Sequence, residues 1–403
     1  MDTQVRQRMQ AGLEAEHRRK GPPRDFPTLP DIPVGRYAEA EFLALERQRL
    51  WSRSWLYAGH LDELPEPGSY KLWQRIGVPI LIVRDQSGNV QAFYNSCRHR
   101  GGPLVEQDSG TLGGGLVCRY HGWSYGLDGQ LKGVRDRSDF VGLDATCRNL
   151  ISLNCQLLGN WIFVNQDPQA PDLKTHLGPV YDYFDSLAIL DLRLVHQQTY
   201  PVQCNYKMLL EGFLEVYHLH TLHDDTAHRF LDYRCNHIQL WPHGHSLMLT
   251  ANRREDWVDP GARGMPEISG ISDLERKSNP SFNLFPNLIT PVAATALPFN
   301  LIWPVSDDSA LLEVVWFAPN ASNDDEQSSW DRRLENYERI IREDMVIIEQ
   351  MQKSVNSPGF QGMPLSYQER RIYHWHEELD RRIGAERIPA RLRVQPTLGP
   401  WVT

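Results

Sequence analysis

Two short loops constrain this chain more than anything else in it: Cys97-Arg-His99-Arg-Gly101 and Cys118-Arg-Tyr-His121-Gly-Trp123. Each offers one thiol and one imidazole. The donors therefore divide into a two-sulfur half and a two-nitrogen half. A Rieske [2Fe–2S] centre needs that division, with two Cys on one iron and two His on the other. The competing reading is a structural zinc site. Zinc also takes Cys₂His₂ sets, but its usual spacings keep Cys with Cys and His with His.

The pattern around the loops supports a small β-rich module. Trp55-Leu-Tyr-Ala, Ser69–Trp73, Val78–Val83 and Val90–Tyr94 read as strands, with Ser87-Gly88-Asn89 as a hairpin turn. Leu158–Val164 reads as the closing strand, followed by a linker containing Pro168 and Pro171. Before the module, residues 1–20 read as an exposed charged helix, 22–34 as a Pro-rich arm, and Ala38–Trp51 as a helix.

Further on lies Glu211-Gly-Phe-Leu-Glu215-Val-Tyr-His218-Leu-His220-Thr-Leu-His223. Non-haem Fe(II) that activates O₂ is commonly held by two His and one carboxylate, with positions left open. Spacing alone does not choose the pair. On an ideal helix at ~100° per residue, His218 and His223 lie ~140° apart and His220 and His223 ~60° apart. If Tyr206–Leu222 is one helix, the first pair needs a bend or π-bulge.

The run Phe93–Gly101 and the motif Glu215-Val-Tyr-His218-x₄-His223 together resemble the aromatic-ring-hydroxylating Rieske non-haem iron oxygenases, large (α) subunit. The extra cysteine pair of the respiratory Rieske type is missing from both loops. The resemblance runs from about Glu41 to about Arg382. It implies an α+β chain: an N-terminal β-rich Rieske domain, then an α+β catalytic domain with an antiparallel sheet flanked by helices. The expected divisions are an N-terminal helix and arm over 1–44, the Rieske domain over 45–172 and the catalytic mononuclear iron domain over 173–403.

It further implies Cys97, His99, Cys118 and His121 as cluster ligands, and His218, His223 and Asp344 as ligands of the mononuclear Fe(II). Glu343 and Glu349 are the alternatives to Asp344. His220 then falls to a supporting or structural role. Glu215 is implied as the electron bridge from His121 of the next subunit to His218, which calls for a homotrimer. Many ring dioxygenases have Asp at this position; Glu is more typical of the branch resembling choline and carnitine monooxygenases and betaine demethylases. Gly212, where that branch usually has Asn, departs from the pattern.

The activity implied is that of a terminal oxygenase. It would use O₂ and electrons from a separate NAD(P)H-dependent reductase, with or without a ferredoxin, to hydroxylate a small organic substrate. Demethylation and cis-dihydroxylation are the variants. A Rieske electron carrier with a dead second site, and a zinc-stabilised binding module, are rivals from other classes. The sequence has no Walker A motif and no dinucleotide fingerprint after a strand, so electrons must come from another protein.

Bulk composition fits. A net charge of −9 argues against phosphate-driven nucleic-acid binding. No apolar run approaches the ~20 residues of a spanning helix, and Met1–Lys20 lacks a secretory h-region. A cytoplasmic enzyme is expected, with Cys147, Cys155, Cys204 and Cys235 as buried reduced thiols. His243/His245 and His374/His376 read as structural. Trp241, Trp257, Trp303, Trp316 and Phe317 are candidates for an aromatic cage around a quaternary ammonium.

Later elements are expected as follows: strands within 235–255 and 299–318, a loop over 256–280, a strand over Ser281–Asn287, and helices over Ser328–Val355 and Leu365–Ile383.

Overall fold

The computed structural model of the protein describes residues 3–254, 256–320 and 326–403. They form two compact units. One is Ser52–Thr175; the other joins the residues up to Trp51 with His176–Thr403.

The Ser52–Thr175 unit is built from short antiparallel strands. A four-stranded sheet runs Val90–Tyr94, Ile80–Arg84, Ser69–Trp73, Ser109–Thr111. A three-stranded sheet runs Gly115–Val117, Ser124–Gly126, Leu131–Gly133, and a second pairs Asn154–Leu158, Trp161–Asn165 and Leu56–His60. The hairpin at residues 85–89 follows from its chemistry. The Asp85 carboxylate accepts from the N–H of Ser87 at 2.8 Å and of Asn89 at 2.9 Å, and Gly88 takes φ +88°. Leu81, Val83 and Phe93 pack with Leu116, Trp123 and Tyr125 into one core that also holds Cys97 and Cys118.

The second unit carries a seven-stranded antiparallel sheet. Its order is Leu192–Val202, Ala310–Pro319, Leu297–Pro304, Leu288–Pro291, Ser278–Leu284, Ser246–Asn252, Leu231–Leu240. Side chains alternate across such a sheet, and register assigns each residue a face. Ser246 pairs with Asn283, Asn283 with Ile289, Ile289 with Asn300, and Asn300 with Val314. These share one face with Trp316. The long helix Glu326–Val355 lies there: Tyr337 reaches Asn300 (2.7 Å) and packs on Trp316. So does helix Arg370–Ile383, through Arg371 Nε to Ser246 Oγ at 3.0 Å. The other face carries Phe282, Phe299 and Phe317. Helix Pro179–Asp185 covers part of it with Tyr183 and Phe184 against Phe282. Each such buried aromatic contributes about 1.5–3 kcal/mol relative to exposure.

Several expectations need correction. Thr3–Arg18 is helical but not free in solvent: Met9 is buried, and the helix lies on strand Leu231–Leu240. Gly12 makes that approach possible, since a Cβ there would meet the His237 ring at 2.4 Å. Met1 and Asp2 lie outside the described residues. The supposed loop 256–280 includes a short helix, Asp273–Lys277, closed by a Ser272/Glu275 capping box. Cys147 is exposed and Cys155 half-buried, whereas Cys204 and Cys235 are buried as expected; no disulfide forms. Among the described residues no helix is long and apolar enough to cross a membrane.

Candidate metal centres

The two Cys/His loops are near copies of each other. In the first, the Cys97 N–H donates to Gly102 O (2.8 Å) and Gly101 N–H donates back to Cys97 O (2.9 Å). In the second, Cys118 N–H donates to Trp123 O and Gly122 N–H to Cys118 O, each at 2.9 Å. Gly101 and Gly122 sit at φ +75° and +73°, a conformation that favours glycine. At Gly102 a Cβ would lie 3.3 Å from Cys118 Sγ, so glycine lets the loops close on one another.

This brings all four predicted side chains together. The His99 and His121 rings stand 4.5 Å apart, and His99 stacks on Trp123 at 5.0 Å. Both thiols are buried, and Tyr125 OH lies 3.3 Å from Cys97 Sγ. His99 Nδ1 is buried without a hydrogen-bond partner among the described residues. An orphaned imidazole nitrogen beside two buried thiols fits a group that takes two sulfurs and two nitrogens.

The second centre forms where the expected Tyr206–Leu222 helix fails to continue. It ends at Gly212, and a separate turn of helix covers Leu219–Leu222. Glu215 supplies a reason. Its carboxylate accepts from the backbone N–H of Tyr217 and His218, offering the chain an alternative to helical bonding. His218 and His223 then stand at the two ends of the short helix, as its flanking residues.

Their rings lie 5.0 Å apart. Asp344 reaches them from the long helix, its Oδ1 3.1 Å from His223 Nε2 and 3.6 Å from His218 Nε2. One donor atom from each of the three lies within 4.8 Å of the others, which suits a single ion. The outer nitrogens are held too. His218 Nδ1 pairs with Glu215 Oε1, and His223 Nδ1 with Glu343 Oε2 at 2.7 Å; Thr226 Oγ1 donates to that same oxygen. Carboxylates placed this way fix imidazole orientation and raise ligand basicity. Burial pulls the His218 and His223 pKa values down, but Glu215 at the first and Asp344 and Glu343 at the second more than offset it, leaving both raised.

The alternatives to Asp344 have other partners. Glu343 buttresses His223, and Glu349 accepts from Gln203 N–H at 3.0 Å. The sequence offered no signal separating 343 from 344; which of two adjacent acids faces inward depends on how the helix is seated. His220 lies 3.2 Å from His228 and stacks on Tyr233.

A buried polar network holds the helix that leads into this loop. Glu211 Oε1 lies 2.8 Å from both Tyr37 Oη and His376 Nε2, and Lys207 Nζ bonds Glu46. Burial pushes the Glu211 pKa up to about 8, although Tyr37, Lys207 and Arg36 all pull it down. The Gly212 departure sits next to this network, where a Cβ would meet Ile348 at 3.4 Å.

The aromatic cage does not assemble from the five residues expected. Trp316 and Phe317 point to opposite sheet faces; Trp257 stacks on Phe230, and Trp303 donates to Glu313. His245, His374 and His376 are buried structural links, as expected.

A pair of Cys/His loops in one unit and a His/His/carboxylate triad in the other define a two-centre, iron-dependent oxygenase. The comparisons agree. Residues 54–146 match the Rieske [2Fe-2S] domain, and residues 189–385 match the catalytic domain of the ring hydroxylating alpha subunit. The chain belongs to this family of Rieske oxygenases.

Over 336 residues it is 24% identical to the carnitine monooxygenase oxygenase subunit of Escherichia coli (strain K12), covering 82% of this chain and 86% of that protein. The glycine betaine monooxygenase oxygenase subunit of Pseudomonas aeruginosa (strain UCBPP-PA14) is 25% identical over 371 residues, covering 83% and 84%. The chlorobenzene dioxygenase subunit alpha of Cupriavidus sp. (strain PS12) is 32% identical over 218 residues, covering 51% and 47%. In structure, a quaternary ammonium Rieske monooxygenase solved with L-carnitine superposes with TM-score 0.71 at 21% identity, over 90% of this chain and 99% of the other. Naphthalene 1,2-dioxygenase from Rhodococcus sp. gives 0.72 at 22%, over 96% and 99%. The protein is thus the oxygenase component of a Rieske system. It uses a [2Fe–2S] cluster, mononuclear iron, O₂ and NAD(P)H-derived electrons from a partner reductase, and it acts on a small organic substrate.

Proposed function

We propose that the enzyme mono-oxygenates a carbon of a quaternary amine or an aromatic compound, with demethylation as the outcome when that carbon is a methyl on nitrogen or oxygen. Cys97, His99, Cys118 and His121 hold the cluster, and His218, His223 and Asp344 hold the iron. The observation that carries this reading is the convergence of Asp344 on both histidines, each backed by its own carboxylate. Similarity to the carnitine and glycine betaine oxygenase subunits supports the mono-oxygenase outcome. Similarity to the chlorobenzene dioxygenase subunit supports cis-dihydroxylation as the second reading.

When bound, the metals supply one-electron transfer and O₂ activation. The chain supplies the rest. Glu215 and Glu343 fix the rings so that both Nε2 atoms face Asp344. Tyr125 sets a hydrogen bond on the Cys97 sulfur. On this reading the Glu215–His218 pair receives an electron from His121 of a neighbouring copy in a homotrimer, which the direct Glu215–His218 contact supports. Residues 52–175 serve as the electron-accepting domain and 176–403 as the catalytic domain.

The test is substrate-dependent O₂ uptake with a surrogate reductase across aromatic acids and quaternary amines, with product analysis. Hydroxylated or demethylated product coupled to uptake is expected. Exclusive formation of cis-diols would establish the second reading, and no substrate-linked uptake from iron-loaded enzyme would overturn both.

A further inference from the structure

The face of the long helix that presents Asp344 also carries a guanidinium with too few partners. Arg333 lies eleven residues before Asp344, which is within ~20° of three full turns, so the two share a face. Arg333 is buried, at 4% exposure. Its Nη2 donates to Thr295 Oγ1 at 2.5 Å and lies 3.3 Å from Asp259. Its Nε–H and both Nη1–H groups are buried with no acceptor among the described residues.

The neighbours repeat the pattern. The guanidinium sits over the Trp330 ring at 5.2 Å, and Trp330 Nε1 is itself buried and unpartnered. Trp330 packs on Trp316, Trp316 on Tyr337, and Tyr337 OH donates to Asn300 Oδ1, which leaves Asn300 Nδ2 unpartnered. The unmet groups along this path, from Arg333 towards Asp344, are donors. Donors without acceptors, one of them cationic and out of water, are costly to bury. Water can meet single N–H groups, but an anionic acceptor meets them and compensates the charge.

We propose that Arg333 is the anchor for a carboxylate on the substrate. The substrate lies along the inner face of the long helix, against Trp316 and Tyr337, with its oxidised carbon at the Asp344 end. Asp259, about one-third exposed, is the counter-ion the substrate carboxylate supplements. Eleven residues span about 16 Å of helix. That favours acids whose carboxylate is several bonds from the attacked carbon over compact ones. The proposal rests on the reading that His218, His223 and Asp344 hold the iron, since that sets which end of the substrate reacts.

The test is calorimetric binding to anaerobic, iron-loaded enzyme. The probes are 4-(4-methoxyphenyl)butanoate and 4-(trimethylammonio)butanoate, each against its primary amide and against the shorter 4-methoxybenzoate and glycine betaine. At least one long carboxylate should bind tenfold or more tighter than its amide and its short analogue. In R333Q that preference should fall to near unity with the cluster spectrum unchanged, and R333K should keep part of it. D259N should increase it, because the guanidinium loses its competing anion. A salt bridge that merely braces the fold would lower stability in R333Q and D259N alike and leave selectivity untouched. Carboxylate and amide binding within twofold in the wild type, or an unchanged preference in R333Q, overturns the proposal. If R333Q does not fold, absence of the D259N increase overturns it. Iron analysis of the same samples separates the two readings. Carboxylate selectivity without mononuclear iron would sink the oxygenase site and leave the anchor; iron without selectivity would do the reverse.

Discussion

The two candidate metal centres are built by opposite means. The cluster loops draw their four side chains from a span of 25 residues, Cys97 to His121, within one small β unit. Their geometry comes from local backbone hydrogen bonds and two positive-φ glycines. The candidate iron site joins residues 121 apart in sequence, His223 and Asp344, and depends on how a 30-residue helix seats against the His218–His223 turn. A locally built site tolerates change elsewhere in the fold. A site assembled across elements is exposed to every group that sets the helix position, and it has carboxylates bracing it on both sides.

The comparison breaks most sharply at Asp344. Asp344→Ala should abolish substrate-dependent O₂ uptake while the cluster's absorption and EPR spectra stay those of the wild type. Loss of both spectra together would mean that the centres are not independent. Next, Glu343→Gln should weaken iron retention by about 10–100-fold, as expected for an outer partner of a ligating histidine; competitive chelation measures it. Glu215→Gln should loosen the iron as Glu343→Gln does and, in iron-loaded protein, also slow single-turnover cluster oxidation by about 10–100-fold, an effect Glu343→Gln should not share. An unaltered rate would remove its bridging role.

Glu211 tests the support behind the iron loop. Its folded pKa of about 8 lies above the ordinary 4.5 because of burial. The folded state therefore keeps a proton that the unfolded state loses. The contribution is fully present below about 4.5 and is lost as pH rises through about 8. Glu211→Gln should remove this dependence. The variant's stability relative to wild type should rise by on the order of 3 kcal/mol between pH 5.5 and 8.5 in denaturant titrations. A constant difference would contradict the assignment. The smallest effect belongs to the cluster side. Tyr125→Phe removes the hydroxyl beside Cys97 Sγ and should lower the cluster's reduction potential by on the order of 50 mV, equivalent to about 1 kcal/mol for one electron.

The same contrast decides what the sequence could reveal. Cys97, His99, Cys118 and His121 stand out because loop spacing alone groups them, and the structure brings their side chains together. Strands Ser69–Trp73 and Val90–Tyr94 were readable from the turns ahead of them, Pro67-Gly68 and Ser87-Gly88-Asn89. Strand Leu192–Val202 was not: it is an edge strand with exposed Gln197, Gln198 and Thr199 and a proline at 201, so half its pattern answers to solvent. The break between Gly212 and Leu219 was signalled only by the five-residue spacing of His218 and His223, which an unbroken helix would splay; its cause, a side-chain carboxylate that takes the backbone N–H groups, shows only in the fold. Asp344 required family resemblance. Glu343 stood in the sequence only as an alternative ligand; its place behind His223, like the burial of Arg333, depends on how the long helix is seated against its neighbours.

Iron and acid-labile sulfide analysis of the anaerobically reconstituted protein, read together with EPR, decides whether one chain carries both a cluster and a separate mononuclear iron. About three irons and about two sulfides per chain are expected in the wild type, falling to about two irons with unchanged sulfide and an unchanged Rieske signal in Asp344→Ala. About two irons in both proteins, or zinc in place of iron and sulfide, would rule out the two-centre assignment.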